Sequence, residues 1–321
     1  MSLESWFVVR RELSSRRQKL LGIGSFLLPL LIWCAVSYVP FIWHPMVMVS
    51  NPGSVDYFQV GMLVDKSVYK EELANMQAAG KTLPEGSPAN PIYLPAPHAV
   101  AKALYTGFTT APEQRDGKWL HESLWHSIQI IFWGFFISSL IGVPLGILCG
   151  TFSAVSRINE PFVEFFRYLP APAFGALAVA ILGIYDGPKI AIIVIGTLFQ
   201  QILIIANTTR KLDYSLIEAA LTLGTNKFKL LLHVIIPGIL PELYRDQRIL
   251  LGWAWTYLIV AELIGTSSGI TWFITQQARY QHFENVYAAI IIIGVLGLGG
   301  DLILAWLSRR LFPWDRPANK E

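Results

Sequence analysis

Apolar residues in this chain come in long unbroken runs rather than in alternation. The runs cover about 20 to 43, 127 to 150, 163 to 184, 187 to 207, 247 to 266 and 285 to 307. A helix needs about 20 mostly apolar residues to cross about 30 Å of hydrocarbon, and these runs reach that length. Continuous runs without period-two alternation exclude a transmembrane β-barrel. The pattern therefore predicts an all-α integral membrane protein with six transmembrane helices. Between the first two runs lie roughly 80 residues, His44 to about Trp125, too polar to cross a bilayer.

That polar stretch has two parts. Residues 44–90 are rich in Gly, Pro, Asn and Ser but enclose "SVYKEELANMQAAG". There Ser67 is placed to cap a helix closed by Gly80, with Tyr69, Leu73 and Met76 on one narrow apolar face. Residues 91–126 contain "NPIYLPAPHAVAKALYTGF". Pro97 is placed as a first helical residue, and Val100, Leu104 and Phe108 follow at helical spacing. An amphipathic helix on the membrane surface or on the bundle is expected.

Composition agrees with the pattern. Of 321 residues, 53% are hydrophobic and 15% charged, and the mean hydropathy is +0.47, outside the range of soluble domains of ordinary composition. Cys34 and Cys149 sit singly inside apolar runs, which indicates neither a disulfide framework nor a metal cluster.

The net charge of +3 matters less than its distribution. Arg10, Arg11, Arg16, Arg17 and Lys19 precede the first run, which is too long for a signal-peptide core and lacks a small-residue cleavage site. It reads as a retained span behind a cytoplasmic arm, residues 1–19. The other basic pieces are the link near Arg157, the loop from Thr208 to Arg248, and the tail 308–321 with Arg309, Arg310, Arg316 and Lys320. The outer loops near 186–189 and 267–284 hold only Lys189 and Arg279. Both termini are thus expected in the cytoplasm, with 44–126 on the outer, periplasmic face.

Polar residues inside spans are costly and draw attention. Gln200, Gln201, Glu262 and Asp301 are the main ones. Helix-to-helix hydrogen bonding accounts for them as well as solute contact does. Gly142, Gly146 and Gly150 in the second span, and Gly294, Gly297, Gly299 and Gly300 in the last, argue for close helix packing.

One loop stands apart. From Asp213 the chain reads "DYSLIEAALTLGTNKFKLLLHVIIPGILPEL". Ser215 and Glu218 have capping-box spacing, Ala219 and Ala220 continue as good helix formers, and Gly224 supplies a left-handed stop. Thr225 is placed to cap a second helix, Asn226 to Ile235, before Pro237. A DNA-binding helix pair is excluded: the flanking spans hold the loop at the membrane, and only Lys227 and Lys229 offer phosphate contacts. Charge and length favour a protein partner.

Glu218-Ala219-Ala220, three residues, Gly224, nine residues, then Val234-Ile235-Ile236-Pro237 resembles the EAA signature of permease subunits of binding-protein-dependent ABC importers. Val234 and Ile236 are aliphatic departures from its usual ending. "LPAPHAVAKAL" at 94–104, "EPFVEFFRYLPAPAFGALAVAILGIYDGPKIAII" at 160–193 and "GWAWTYLIVAELIGTSSGI" at 252–270 look like the nitrate, sulfonate, taurine and bicarbonate branch. The resemblance runs from about Pro91 to Trp314. Residues 44–90 have no counterpart in its compact members, and Thr271 stands where the family often has a second glycine.

The resemblance implies a type I importer fold with a coupling-helix loop at 208–246 inside a core of 127–307. It implies cytoplasmic ATPase subunits that carry ATP and Mg, a periplasmic substrate-binding protein and a second permease copy, in a bacterial inner membrane. No Gly-x-x-x-x-Gly-Lys-[Ser/Thr] loop is present in this sequence, so nucleotide belongs to another polypeptide and this chain is not itself an enzyme. Ser215, Glu218, Ala219, Ala220, Gly224 and Pro237 become the ATPase-coupling residues. The family points to small oxyanions, sulfonates or related molecules. Gln200, Gln201, Trp253, Trp255, Tyr257 and Glu262 are the candidates to line their path, with Arg248 the nearest cation. A secondary transporter or channel is the rival; it would need paired acidic residues on broken helices at the midplane, and no convincing pair is visible.

Overall fold

The computed structural model describes residues 14–39, 42–112, 117–264 and 268–315. In chain order these form α1 (Ser15–Tyr38), β1 (Met46–Asn51), β2 (Leu63–Asp65), α2 (Lys66–Ala78), β3 (Glu85–Ala89), α3 (Pro97–Thr109), α4 (Leu120–Thr151) and α5 (Ser153–Arg167). There follow α6 (Gly175–Leu182), α7 (Asp186–Arg210), α8 (Tyr214–Thr222), α9 (Lys227–Leu230), α10 (Ile236–Ile264), α11 (Ile270–Arg279) and α12 (Phe283–Leu311). Arg10, Arg11, Arg316 and Lys320 lie outside the described residues. The chain divides into two units, Met1–Thr106 with Gln277–Ala288, and Gly107–Gln276 with Ala289–Glu321.

In the first unit, α1 ends at Tyr38, five residues short of the apolar run. Val39 is extended, as expected of a residue ahead of Pro40. Residues 44–90 are more than a capped helix in a loop. They build a three-stranded antiparallel sheet, order β2-β1-β3, with Val47 opposite Val64 and Pro88. Short strands with Gly and Pro hid this from the sequence pattern, since Pro88 sits on an edge strand where no ladder donor is lost. Val49, Val55, Phe58 and Val64 form a small core against which Tyr69 and Met76 of α2 pack. The cap of α2 is Asp65, accepting from the Ser67 N–H at 2.9 Å, and not Ser67 itself. Gly80 does take the left-handed conformation, φ +64°.

The first helical residue of α3 is indeed Pro97. Val100 and Ala103 are buried with Ala288, and Trp33, Leu104 and Tyr287 pack around them. The apolar face of α3 is thus covered by α1 and the first turns of α12. The Trp33 indole N–H donates to the Pro95 carbonyl at 3.1 Å.

The second unit is built on α4 and α7. Gly134, Ser138, Gly142, Gly146 and Gly150 follow one another at four-residue intervals on one face of α4. A Cβ on Gly142 would lie 2.8 Å from the Gln201 amide oxygen, and one on Gly146 2.8 Å from the Ile205 Cβ. Small residues thus let the two backbones approach closely. The glycines of α12 behave differently: a Cβ on Gly294, Gly297, Gly299 or Gly300 meets nothing within 4 Å. Among the described residues they pack against nothing.

The expected third span, 163–184, is broken. Residues 153–167 and 171–182 are helical but lie at 88° to one another. Pro170 has no N–H to continue the ladder and disfavours the helical region for Leu169 before it, which ends α5 at Arg167, while Pro172 sits in the first turn of the helical segment that follows. Among the described helices, α1, α4, α7 and α12 are long and apolar enough to cross a membrane, and the bent pair would make a fifth. The 29-residue α10 is not in that set; its first half carries Glu242, Arg245, Asp246 and Arg248. The count of six is therefore not established by helix length and composition alone.

Candidate functional site

Between α7 and α10 the chain leaves the spans and returns through two short helices. The Asp213 carboxylate accepts from the Ser215 N–H at 3.0 Å and caps α8. Its carboxyl is held below the usual aspartate range by the Ser215 backbone and side-chain hydrogen bonds. The expected Ser215–Glu218 box is thus replaced by a cap two residues earlier, and Glu218 is exposed. An aspartate before the first turn supplies the same acceptor with a charge that suits the helix N-terminus.

The stop at Gly224 is as expected. Its φ is +79°, the Gly224 N–H donates to the Leu221 carbonyl at 2.9 Å, and the Thr225 N–H donates to Ala220 at 3.1 Å. These two bonds make a Schellman motif. Asn226, not Thr225, caps α9: its side chain accepts from the Lys229 N–H at 2.8 Å. Nor does the helix end at Pro237. Residues 231–235 form a π turn in which the Ile236 N–H reaches back to Leu231. The extra residue in that turn lets the helix run through a proline that has no N–H to give.

Ala220, Leu230 and Ile235 are buried together beneath this loop. Glu218 and Ala219 are exposed, and so are large apolar groups: Tyr214, Leu216, Leu221, Phe228 and above all Leu223, at 86%. A Cβ on Gly224 would meet nothing within 4 Å. The loop is a rigid helical knob that presents apolar side chains outward.

The candidate path residues do not form one cluster. Gln201 is fully buried: its oxygen accepts from the Ser138 hydroxyl at 2.7 Å, and its amide donates to Ser139 at 2.8 Å and to the Gln247 oxygen at 2.7 Å. This network ties α4, α7 and α10 and meets every group of the Gln201 amide, while the Gln247 amide nitrogen has no partner among the described residues. Trp255 and Tyr257 pack against the main core, and the Tyr257 ring covers Gly196. Gln200 is half-buried, and Trp253 is exposed.

Glu262 is 3% exposed and works as an anchor. One carboxylate oxygen accepts from the Ser127 hydroxyl and the other from the Thr271 N–H at 2.8 Å, while Ser127 accepts from the Ile270 N–H at 2.8 Å. Side chains of α4 and α10 thus fasten the start of α11. Gly269, with φ +101°, has to be glycine, because a Cβ there would overlap the Glu262 carboxylate. Residues 265–267 of this turn lie outside the described set. Thr271, the departure from the usual second glycine, gives its backbone N–H to this anchor.

The charges of the spans are also mostly paired. Lys189, expected in an outer loop, is fully buried and donates to Asp186 at 3.1 Å and the Ser268 hydroxyl at 2.6 Å. Arg248 makes a bidentate pair with Asp301, 2.8 Å to each oxygen from Nη2. Arg210 pairs with Glu160, and Arg245 with Glu242 and Asp315. Arg248 therefore offers no free charge to an anion path, and Asp301 is its counter-ion. The sequence held no signal for these pairings, because partners such as Arg248 and Asp301 are 53 residues apart.

Apolar spans, an α4–α7 scaffold and a helical knob between two spans define a multi-pass membrane permease. The chain belongs to the family described as binding-protein-dependent transport system inner membrane component, whose profile matches residues 142–313. It is 31% identical over 225 residues to the taurine transport system permease protein TauC of Escherichia coli, covering 70% of this chain and 81% of that one. The bicarbonate transport system permease protein CmpB of Synechococcus elongatus is 28% identical, over 57% and 66% of the two chains. A chain of the MetNI methionine ABC transporter, solved in an inward-facing conformation, superposes with a TM-score of 0.54 at 18% identity. It covers 64% of this chain and all of that chain, a likeness of fold.

Proposed function

We propose that this chain is the membrane path of an ATP-driven importer for a small oxyanion, sulfonate or related organic molecule, with ATP and Mg held by separate cytoplasmic ATPase subunits. The relatives named for taurine and bicarbonate support the solute class. Two copies of the chain would enclose the path, a periplasmic substrate-binding protein would deliver the solute, and both termini would face the cytoplasm. Gln200 and Trp253 remain candidates to line the path.

The observation that carries the coupling role is the knob. Leu223, Phe228 and Tyr214 are large apolar side chains on a polar face of a membrane protein, and such a patch marks a protein contact. Glu218 and Ala219 sit on the outward surface of α8 beside them, and the Schellman turn at Gly224 fixes the angle between α8 and α9. Seated in a groove of the ATPase, α8 would convert nucleotide-driven closure into rigid-body movement of α7, which it follows directly, and of α10, which it reaches through α9.

Gly224→Asp tests this. The added side chain meets no neighbour but strains the left-handed turn, so the angle between α8 and α9 is disturbed while membrane insertion is expected to survive. In the reconstituted complex with its ATPase and binding protein, taurine or bicarbonate uptake should be lost and the ATPase should no longer co-purify. Normal uptake and co-purification overturn the coupling role. Transport by the chain alone under an ion gradient overturns the importer reading.

A further inference from the structure

The break in the third span lies at membrane depth. α5 runs back along α7, with Val163 buried and the Phe166 ring stacked on Phe199 at 5.1 Å between centroids. Phe199 is close to the middle of the 25-residue α7, a helix roughly 37 Å long at 1.5 Å per residue. Arg167 and Tyr168 therefore sit near the middle of the bilayer, where α5 gives way to a turn through Leu169 and Pro170 and the chain swings by 88°. Non-helical backbone at this depth is tolerated only where protein buries it or where it lines a water-filled cavity.

Both side chains here are exposed, Tyr168 to 75%. An Arg167 Nη donates to the Tyr168 hydroxyl at 3.0 Å, and the guanidinium carbon lies 4.8 Å from the ring centroid. Among the described residues no carboxylate forms an ion pair with Arg167, whereas Lys189, Arg210, Arg245 and Arg248 each have one. A charged side chain at the bilayer centre faces the bundle interior or water, not lipid. By that rule the side of α5 that carries Arg167 faces water or protein rather than lipid.

We propose that Arg167 and Tyr168 form an oxyanion-binding step in that path, a role that rests on the reading of this chain as a permease for small oxyanions. The guanidinium presents a planar fork suited to two oxygens of a sulfonate, carboxylate or bicarbonate. Because the phenol oxygen accepts from Arg167, its own proton is free to donate to a further oxygen of the anion. A transient site of this kind holds the solute at the point where the helix opens, without the retention that a buried cage would impose.

The test uses the assembled transporter with Cys34→Ala and Cys149→Ala as background. Arg167→Cys should be modified in membranes by 2-sulfonatoethyl methanethiosulfonate, a water-soluble reagent that is itself a small sulfonate. Labelling only by a membrane-permeant maleimide would put residue 167 against lipid and overturn the proposal. With radiolabelled taurine as probe, Arg167→Gln should cut uptake roughly tenfold or more, Arg167→Lys should keep most of it, and Tyr168→Phe should fall between. Wild-type concentration dependence in Arg167→Gln also overturns it. Should the parent complex import no taurine, the solute reading fails, while the reagent still decides whether Arg167 faces water.

Discussion

Gln201 and Arg167 stand at nearly the same level of the bundle, because the Phe166–Phe199 stack brings α5 and α7 together there. Gln201 is sealed, with Ser138, Ser139 and Gln247 around its amide. Arg167 is open and, among the described residues, meets the hydroxyl and ring of Tyr168 but no carboxylate. The contrast separates two uses of polarity in a membrane: a group whose donors and acceptors are met by neighbouring helices holds the bundle together, whereas an exposed charge without a counter-ion requires water. Glu262 falls on the sealed side, although by type and position it reads as a path residue. Two glycine rows divide in the same way, the one on α4 filled by α7 and the one on α12 facing open space.

The largest way to break this comparison is at Glu262. Glu262→Ala strips an acceptor from Ser127 and from the Thr271 N–H, both buried. It should lower the stability of the purified protein by about 2 to 3 kcal/mol, read as a drop in melting temperature. Unaltered melting with lost uptake would return Glu262 to the path.

Gln201→Leu is a smaller perturbation. It keeps the side-chain volume and leaves Ser138, Ser139 and Gln247 to find new partners, at a cost of about 1 kcal/mol. Melting should fall slightly while the concentration dependence of uptake stays as in the parent. A changed solute preference would move Gln201 across the divide.

The smallest effect lies outside the membrane. The Asp213 carboxyl is lowered by its bonds to Ser215, so its contribution is present above the unfolded-state value and lost as the pH falls through the folded one. Coupling of the knob to the ATPase should therefore be insensitive to pH from neutrality down to the ordinary carboxylate range and weaken only below it. Asp213→Asn, which keeps a capping oxygen, should remove that acid dependence in a co-purification assay. Equal acid sensitivity in parent and variant would assign it to another group.

Much of the fold is legible in hydropathy alone, since α1, α4, α7 and α12 follow apolar runs that no soluble core requires. The left-handed turn at Gly224 is legible too, because only its type and spacing are needed. Local caps were less so. Ser215 and Thr225 have the right chemistry, yet Asp213, two residues before the one, and Asn226, one residue after the other, offer the acceptors that the free N–H groups meet. The sheet in 44–90 escaped the pattern because its strands run three to six residues and one carries a proline.

By itself the sequence determines that this protein lives in a membrane, that it breaks off into a helical knob between two spans, and that the knob turns at a glycine. Those features depend on residue type and near neighbours. Which polar residues are locked and which are open is decided only by tertiary structure, because Gln201, Glu262 and Arg248 find side-chain partners on other helices, Gln247, Ser127 and Asp301, 46 to 135 residues away. Arg167 finds no such carboxylate among the described residues, and a missing partner is a property of the packed bundle that no local pattern records.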